Sequence, residues 1–252
     1  MSISDKLKTI AENMTKVHDA GKTAEYDKMW NRIQGNGNLT DYSTMAGYFN
    51  GKMFGFNNFY PKYDIRPVGN ANQLFYAWEN QSKFGITDNK GSLTQRLKDC
   101  GVVLDTSQAT SLLSAFNYGH FTEIPTIDCT GITTPANTTS VFANGYSRLV
   151  TIEKIKTKEE VTYKNWFQNT NVQNVVFEGV IGQDLDISYG TRLTYDSVMS
   201  IVEHLKDYSG TTTTKTLTLK SGVFTNASFK TAGVTEADIE ALVNAKGWSL
   251  VS

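Results

Sequence analysis

The apolar residues at the start of the chain follow a heptad pattern. Ile3, Leu7, Ile10, Met14 and Val17 are separated by gaps that alternate between four and three residues, which is the spacing of a coiled-coil seam. The pattern covers only about two heptads, and an isolated helix of that length is marginal in water. We therefore expect this helix to dock, either on its own domain or, by self-association, within a larger assembly.

A second short helix is predicted after Gly21, beginning at the N-cap Thr23 and ending before Gly35. Residues 37–70 are aromatic and polar without a period, so we interpret them as an irregular connector. The connector is predicted to end in a strand over residues 63–66, which Pro61 and Pro67 bracket.

The middle of the chain carries a degenerate repeat. An aromatic residue, a short polar stretch and a spaced aliphatic run return three times, and the leading residues Phe116, Phe142 and Phe167 lie 26 and 25 residues apart. Self-similarity at a period of roughly 20–50 residues is typical of a solenoid. We expect each Phe to lie on a turn or short helix and in the core. The aliphatic runs, such as Ile152 and Ile155, should supply strands and core contacts.

Residues 71–84 resemble an imperfect first copy of this repeat, and a short helix over 93–101 and a strand over 102–105 are predicted after it. At the other end, an amphipathic helix over Leu193–Leu205 with Thr194 as its cap is predicted, with Ser209 and Gly210 as its stop signal. A strand over 215–219, a capped helix over 235–243 and a last strand over 248–250 follow. Such a differing terminal unit fits the closing cap that a repeat array needs.

Composition narrows the range of partners. The 252 residues include 24 basic and 25 acidic side chains, for a formal net charge of −1. Nucleic acid or an anionic membrane would call for a basic excess, so neither is expected as a partner. No run approaches the ~20 apolar residues of a membrane span, and the first residues lack the basic and apolar regions of a signal peptide.

Few side chains suggest metal or nucleophile chemistry. Cys100 and Cys129 are expected to be free thiols, although their spacing leaves a disulfide open. The three histidines, His18, His120 and His204, are scattered along the chain. No zinc, phosphate-loop, Ca²⁺-loop or serine-hydrolase motif occurs. The sequence therefore predicts no cofactor, no metal and no enzyme activity.

The Phe-led runs resemble the BspA-like leucine-rich repeats common in Firmicutes and their phages, and the resemblance covers about residues 71–252. The opening residues 1–13, the stretch 17–27, and the segments Leu193–Val198, Lys215–Leu219 and Gly247–Trp248 look like the ends of phage or prophage structural proteins. The resemblance implies a virion component of the tail, baseplate or fibre region and brings no catalytic residues. The bacterial cell-surface relatives carry a signal peptide, and its expected absence favours the phage interpretation.

Acidic residues provide one alternative, a host-polysaccharide-degrading enzyme, because glycoside hydrolysis needs paired carboxylates. Asp184 and Asp186 would share a face if their segment were a strand, with Glu178 and Asp128 nearby; the segment reads equally as a polar loop. Aromatic side chains are the better binding candidates, because rings stack on sugars and pack at interfaces. The candidates for surface binding are Tyr118, Tyr146 and Trp166.

The expected fold is therefore α/β, an irregular leucine-rich-repeat-like solenoid with a helical N-terminal module and a C-terminal α/β cap. We divide the chain into an attachment or oligomerisation module (1–36), the connector (37–70), the repeats (71–192) and the capping unit (193–252).

The expected function is that of a non-enzymatic phage virion protein, assembled in the host cytoplasm. Its expected partners are other virion proteins, further copies of itself, and a host-surface glycan or protein. The alternatives are a purely structural role such as head decoration, the polysaccharide-degrading enzyme, and a secreted bacterial surface protein.

Overall fold

A computed structural model describes residues 61, 64–76, 91–145 and 149–252. Within these residues the protein is mixed α/β, with small parallel sheets and short helices. The strands are β1 (Gly69–Asn70), β2 (Ala109–Ser111), β3 (Glu123–Ile124), β4 (Ile127–Asp128), β5 (Thr151–Thr157), β6 (Asn174–Gly179), β7 (Leu185–Asp186), β8 (Lys215–Thr218) and β9 (Trp248–Val251). The α-helices are α1 (Leu93–Cys100), α2 (Tyr195–His204), α3 (Ala227–Ala232) and α4 (Glu236–Ala245), and Pro135–Thr138 and Ser221–Thr225 form 3-10 helices. The predicted heptad helix, the helix after it and most of the connector lie outside the described residues.

The central sheet aligns equivalent apolar residues of successive segments. β5 pairs in parallel with β3 and β4 on one side and with β6 on the other. Ile152 stands between Ile124 and Val175 in this register, and all three side chains are buried. Ile155 is buried in the same way, so the prediction that the aliphatic runs supply strand and core contacts is confirmed.

Beside the sheet, the phenylalanines that lead the repeats form a buried stack. The ring centroids of Phe75 and Phe116 are 5.4 Å apart, those of Phe116 and Phe142 5.6 Å, and those of Phe142 and Phe167 5.9 Å. All four rings are at most 1% exposed. The predicted core role of the leading phenylalanines is confirmed, and Phe75 extends the stack by one segment.

Backbone hydrogen bonds join the turns that carry these rings. The amide of Phe116 donates to the carbonyl of Val141 (2.8 Å), and the amide of Phe142 donates to that of Trp166 (3.2 Å). Asparagine side chains continue the connection on the outside: Asn144 donates to Asn117 (3.1 Å) and Asn169 donates to Asn144 (2.8 Å). Each turn thus receives its polar partners from the next one along the chain.

These turns require left-handed backbone at residues other than glycine. Ser114, Ser140 and Asn165 have φ of 54°, 57° and 57°, a conformation that costs a non-glycine residue roughly 1–2 kcal/mol. We expected asparagine and glycine at such positions; asparagine does occur there at Asn144, Asn165 and Asn169, and serine occurs at Ser114 and Ser140. The backbone hydrogen bonds between turns offset this conformational cost. Without them, each buried amide or carbonyl left unpaired would cost at least as much as the left-handed conformation does.

The sheets are separate. β1 pairs with β2, β3–β6 form the central sheet, and β7, β8 and β9 form a third parallel sheet. In the part of the chain that the structure describes, the strands form three separate sheets, and neither a solenoid nor a leucine-rich-repeat pattern is evident.

Helix α2 closes the edge of the central sheet. The amides of Val175 and Phe177 on β6, which would donate to a further strand, donate instead to the hydroxyls of Ser197 and Ser200 on α2, each at 2.9 Å. α2 begins at its predicted cap, since the Thr194 hydroxyl accepts from the Ser197 amide. Covering an edge in this way removes a template for unwanted strand pairing.

Helix α2 ends at His204, one residue short of the predicted end and before the predicted stop signal, because Leu205 becomes extended and bridges to Ile181. The ammonium group of Lys246 donates to the last carbonyls of the helix, those of Val202 (2.9 Å) and Glu203 (2.7 Å), which satisfies groups that a helix end leaves unpaired.

Two predicted strands were wrong: among the described residues of 63–66 and 102–105 the structure has only an isolated bridge between Ile65 and Leu104.

The remaining local predictions agree with the structure. α1 has the αL glycine Gly101 at its end, and α4 starts with a capping box of Thr235 and Asp238. β8 and β9 lie where alternation predicted them. Helix α3 was not predicted; Asn226 caps it and also donates to the Leu193 carbonyl (2.8 Å), so a tertiary bond helps to fix its start.

Truncation of the central ring of the stack should destabilise the whole array. Phe142→Ala removes a buried side chain that contacts the rings on either side, and we expect a loss of about 3–5 kcal/mol in the free energy of unfolding. Urea unfolding followed by circular dichroism measures the loss. The control is Leu242→Ala, whose side chain is 44% exposed; equal losses for both variants would contradict the assigned core role.

The hydrogen bond of the Ser197 hydroxyl should contribute to the stability of the protein. Ser197→Ala leaves the buried Val175 amide without its acceptor, and we expect a loss of about 1–3 kcal/mol in the free energy of unfolding. Ser221→Ala at an exposed position should change stability by less than about 0.5 kcal/mol. An unchanged stability of Ser197→Ala would show that the helix does not satisfy the strand edge.

Candidate functional site: a polar cleft beside β7 and β8

A cleft of about 360 Å³ opens beside the third sheet. One side is formed by the segment that follows β5, and the other by β7 and β8. Most of its lining residues are of polar types, and the lining consists of Thr162, Tyr163, Lys164, Asn165, Gln183, Asp184, Leu185, Asp186, Thr216 and Thr218.

Two carboxylates on either side of Leu185 lie in the cleft. Leu185 is buried and pairs in register with the buried Leu217 of β8. Its neighbours Asp184 and Asp186 are both exposed and both line the cleft. Strand β7 covers only Leu185–Asp186, so Asp184 lies just before it, but both carboxylates line the same cleft.

Each carboxylate is held by one backbone amide. Oδ1 of Asp184 accepts from the amide of Thr216 (2.8 Å), and Oδ1 of Asp186 accepts from the amide of Ser188 (2.9 Å). Neither Oδ2 accepts a hydrogen bond from the residues that the structure describes. One oxygen of each group is therefore fixed by the fold, and the other has no hydrogen-bond donor among the described residues.

The opposite wall supplies donors. Lys164 and Asn165 are exposed and belong to the turn that carries the buried Trp166. The Lys164 carbonyl accepts from the Ser140 amide (2.9 Å), which ties this turn to the preceding segment. The lining residues thus carry two carboxylates and one ammonium group, and a second ammonium group, that of Lys215, donates to Oε1 of the lining residue Gln183 (3.0 Å).

This arrangement suits binding better than hydrolysis. Asp184 and Asp186 are two positions apart in one segment and stand on the same wall. Glycosidases place their two carboxyl groups on either side of the scissile bond. The cleft has no such opposed pair among its lining residues, and it combines acceptors, amides and hydroxyls that could hold a polar ligand.

Asp128 and Glu178, the other acidic candidates, lie outside this cleft. Asp128 accepts from the amide of Thr130 (2.9 Å) within its own turn. Glu178 pairs with Lys154 at 2.6 Å and with Lys156 at 3.7 Å. The hydrogen bond from Lys154 lowers the pKa of the Glu178 carboxyl.

The aromatic candidates for surface binding lie in different environments. Tyr118 is 40% exposed, and its ring meets that of Tyr76 edge-on at 5.6 Å. Tyr146 and the heptad residues Ile3, Leu7, Ile10, Met14 and Val17 lie outside the described residues. The assignment of Trp166 as a surface contact was wrong: it is fully buried, with its ring 5.0 Å from Tyr163 and 5.5 Å from Phe142.

Metal and thiol chemistry find no support in the described ranges. No group of three or more His, Cys, Asp or Glu side chains there is placed to hold a metal ion. Cys129 is buried, Cys100 is half-buried, and both thiols are free. Burial raises the pKa of each thiol, which keeps it protonated and unreactive. None of the helices in these ranges is both long and apolar enough to cross a bilayer.

Comparison of the chain with protein-family models, curated proteins and solved structures gave no match.

Sequence reasoning missed the far wall of the cleft. The alternation of Thr216 and Thr218 with apolar residues indicated that their side chains point away from the core. No sequence pattern indicated that Lys164 and Asn165 lie near these strands. They reach the cleft only because the turn after β5 packs beside the third sheet.

The hydrogen bond that Asp184 accepts from the Thr216 amide should stabilise the fold whether or not the side chain is charged. Asp184→Ala removes the acceptor of the Thr216 amide, and we expect a loss of about 1 kcal/mol in the free energy of unfolding. Asp184→Asn keeps an oxygen there and should stay within about 0.5 kcal/mol of the parent in urea unfolding. A large loss in Asp184→Asn would mean that the negative charge itself stabilises β7 and β8.

Proposed function

We propose that this protein is a non-enzymatic structural component of a bacteriophage particle, associated with the tail, baseplate or fibre. In this proposal, residues 71–192 form an irregular, leucine-rich-repeat-like solenoid that displays a polar surface, and residues 1–36 attach it to the particle or to its own copies. Host-surface adhesion is the purpose of the display.

The buried stack of Phe75, Phe116, Phe142 and Phe167 carries the proposal. Each ring belongs to a segment that pairs with the next through backbone bonds, and β3 to β6 run parallel, with one register shift between Ile152 and Ile155. In a solenoid each repeat contacts only its neighbours and the array presents an extended surface. The stack supports such an array, although the separate sheets make it irregular.

The closing elements support the same architecture. A repeat array exposes an apolar face at its ends unless a differing unit covers it. α2 covers the β6 edge with its serines, and the sheet of β7, β8 and β9 continues from there with α3 and α4. In this proposal residues 193–252 form the capping unit, and β7, which precedes them, joins its sheet.

Display on a particle makes weak contacts effective. Many copies held at fixed positions raise the effective concentration of each binding surface, so modest affinities become avidity. The resemblance of the chain ends to phage structural proteins points to a particle as the support, and the heptad pattern points to a helical means of attachment.

Two alternatives make different predictions. A head decoration or other purely structural protein would be incorporated without binding the host. A polysaccharide-degrading enzyme would release sugar fragments from host polysaccharide. The placement of Asp184 and Asp186 on one wall of the cleft favours binding over cleavage.

The heptad helix should be required for assembly. We expect deletion of residues 1–20 to abolish incorporation into particles, measured by immunoblotting of gradient-purified phage. Ile10→Asp, within the apolar stripe, should reduce incorporation strongly because it removes a seam contact. The control Thr9→Asp makes the same charge change outside the stripe and should have little effect. Normal incorporation of the deleted protein would contradict the proposal.

A further inference from the structure

We propose that the polar cleft beside β7 and β8 binds a sugar unit of a host-surface polysaccharide, one that is neutral or carries an amino group. This assignment rests on the proposed display function and names the chemistry of its ligand.

The shape of the cleft fits a small ligand. Its volume of about 360 Å³ falls within the usual range of ligand sites, about 300–1,000 Å³. Walls from separate segments, the turn after β5 and the paired strands β7 and β8, enclose a ligand from more than one side. A flat repeat surface would not provide this.

The polar groups match a polyhydroxylated ring. A sugar hydroxyl donates one hydrogen bond and accepts others, so its site needs both kinds of group. The Oδ2 atoms of Asp184 and Asp186 are available as charged acceptors, and such bonds are stronger than neutral ones. Lys164 and Asn165 on the other wall can donate to hydroxyl or ring oxygens.

The acceptors are ordered before a ligand arrives. The amides of Thr216 and Ser188 hold Oδ1 of Asp184 and Asp186 at 2.8 and 2.9 Å. The buried Leu185 anchors the strand between the two carboxylates through its pairing with Leu217. Groups fixed in this way lose little conformational freedom on binding, which favours affinity.

The charge of the cleft selects among sugars. Asp184 and Asp186 disfavour uronic acids and phosphorylated sugars at their wall of the cleft, because a like charge next to these carboxylates raises the energy of the complex. A neutral sugar meets no such penalty, and a protonated amino group would gain an ion pair.

The test uses the full-length protein and a panel of methyl glycosides. The panel contains glucose, galactose, rhamnose, N-acetylglucosamine, glucosamine and glucuronic acid, and binding is measured by saturation-transfer NMR and calorimetry at millimolar concentrations. We expect binding of at least one neutral or amino sugar and none of the glucuronide. Asp184→Asn and Asp186→Asn should each weaken binding about tenfold, because each removes a charged acceptor. Both variants keep the Oδ1 that accepts the backbone amide, so the local fold should be preserved.

The matched control is Glu240→Gln, an exposed acid-to-amide change on α4 that should leave binding unchanged. Urea unfolding of each variant separates a lost contact from lost folding. Lys164→Met provides a second measurement on the opposite wall and should weaken the same ligand.

Three results would overturn the assignment: no binding of any panel member, preferential binding of the glucuronide, or binding that Asp184→Asn, Asp186→Asn and Lys164→Met all leave intact. Incorporation into particles is scored separately. If the protein is in purified particles and the cleft binds no sugar, only the ligand assignment fails. If the cleft binds sugar and the protein is absent from particles, the virion proposal fails and the site stands.

Discussion

The structure depends on the pairing of each chain segment with the one that follows it. A backbone that turns as often as this one leaves many amides and carbonyls without local partners, and a buried one without any partner is costly. The amide of Phe116 uses the carbonyl of Val141, and that of Phe142 uses the carbonyl of Trp166. The pairing demands close backbone approach: Gly179 has φ of 97°, and a Cβ there would collide with the carbonyl oxygen of Thr157. The aromatic stack is a consequence, because segments held in register bring equivalent rings together.

The parallel pairing of strands must end at a defined strand, or the open edge would pair with another chain. An open parallel edge invites another strand, and the chain closes the β6 edge with two serine hydroxyls on α2. The helix is itself held, because the Lys246 ammonium binds its last carbonyls and the Trp248 indole donates to the carbonyl of Lys206 (2.7 Å). Residues from the last strand and the turn before it thus fasten the helix that ends the central sheet, and the C-terminal unit acts as one structural element.

The polar cleft is a product of the same architecture. Asp184 and Asp186 are exposed while Leu185 between them joins the core, and backbone amides fix one oxygen of each carboxylate. The second wall comes from a different segment, the turn that ends in the buried Trp166. A surface assembled from successive turns can change its side chains without disturbing the core, since the core uses other positions of the same segments. This separation suits a protein whose proposed role is to present a recognition surface.

The sequence by itself determined the elements whose signals are local. Capping residues and glycine stops located α1, α2 and α4, since a cap and a positive φ are properties of a few adjacent residues, and periodicity located β8, β9 and the buried phenylalanines. Tertiary structure decided the rest. The end of α2 before its predicted stop signal depends on Leu205 meeting Ile181 and on Lys246, far along the chain. Trp166 is buried because Tyr163 and Phe142 surround it, and the cleft exists because the turn of Lys164 and Asn165 packs beside β7 and β8. Contacts between distant residues leave no spacing in the sequence, so only the folded chain reveals them.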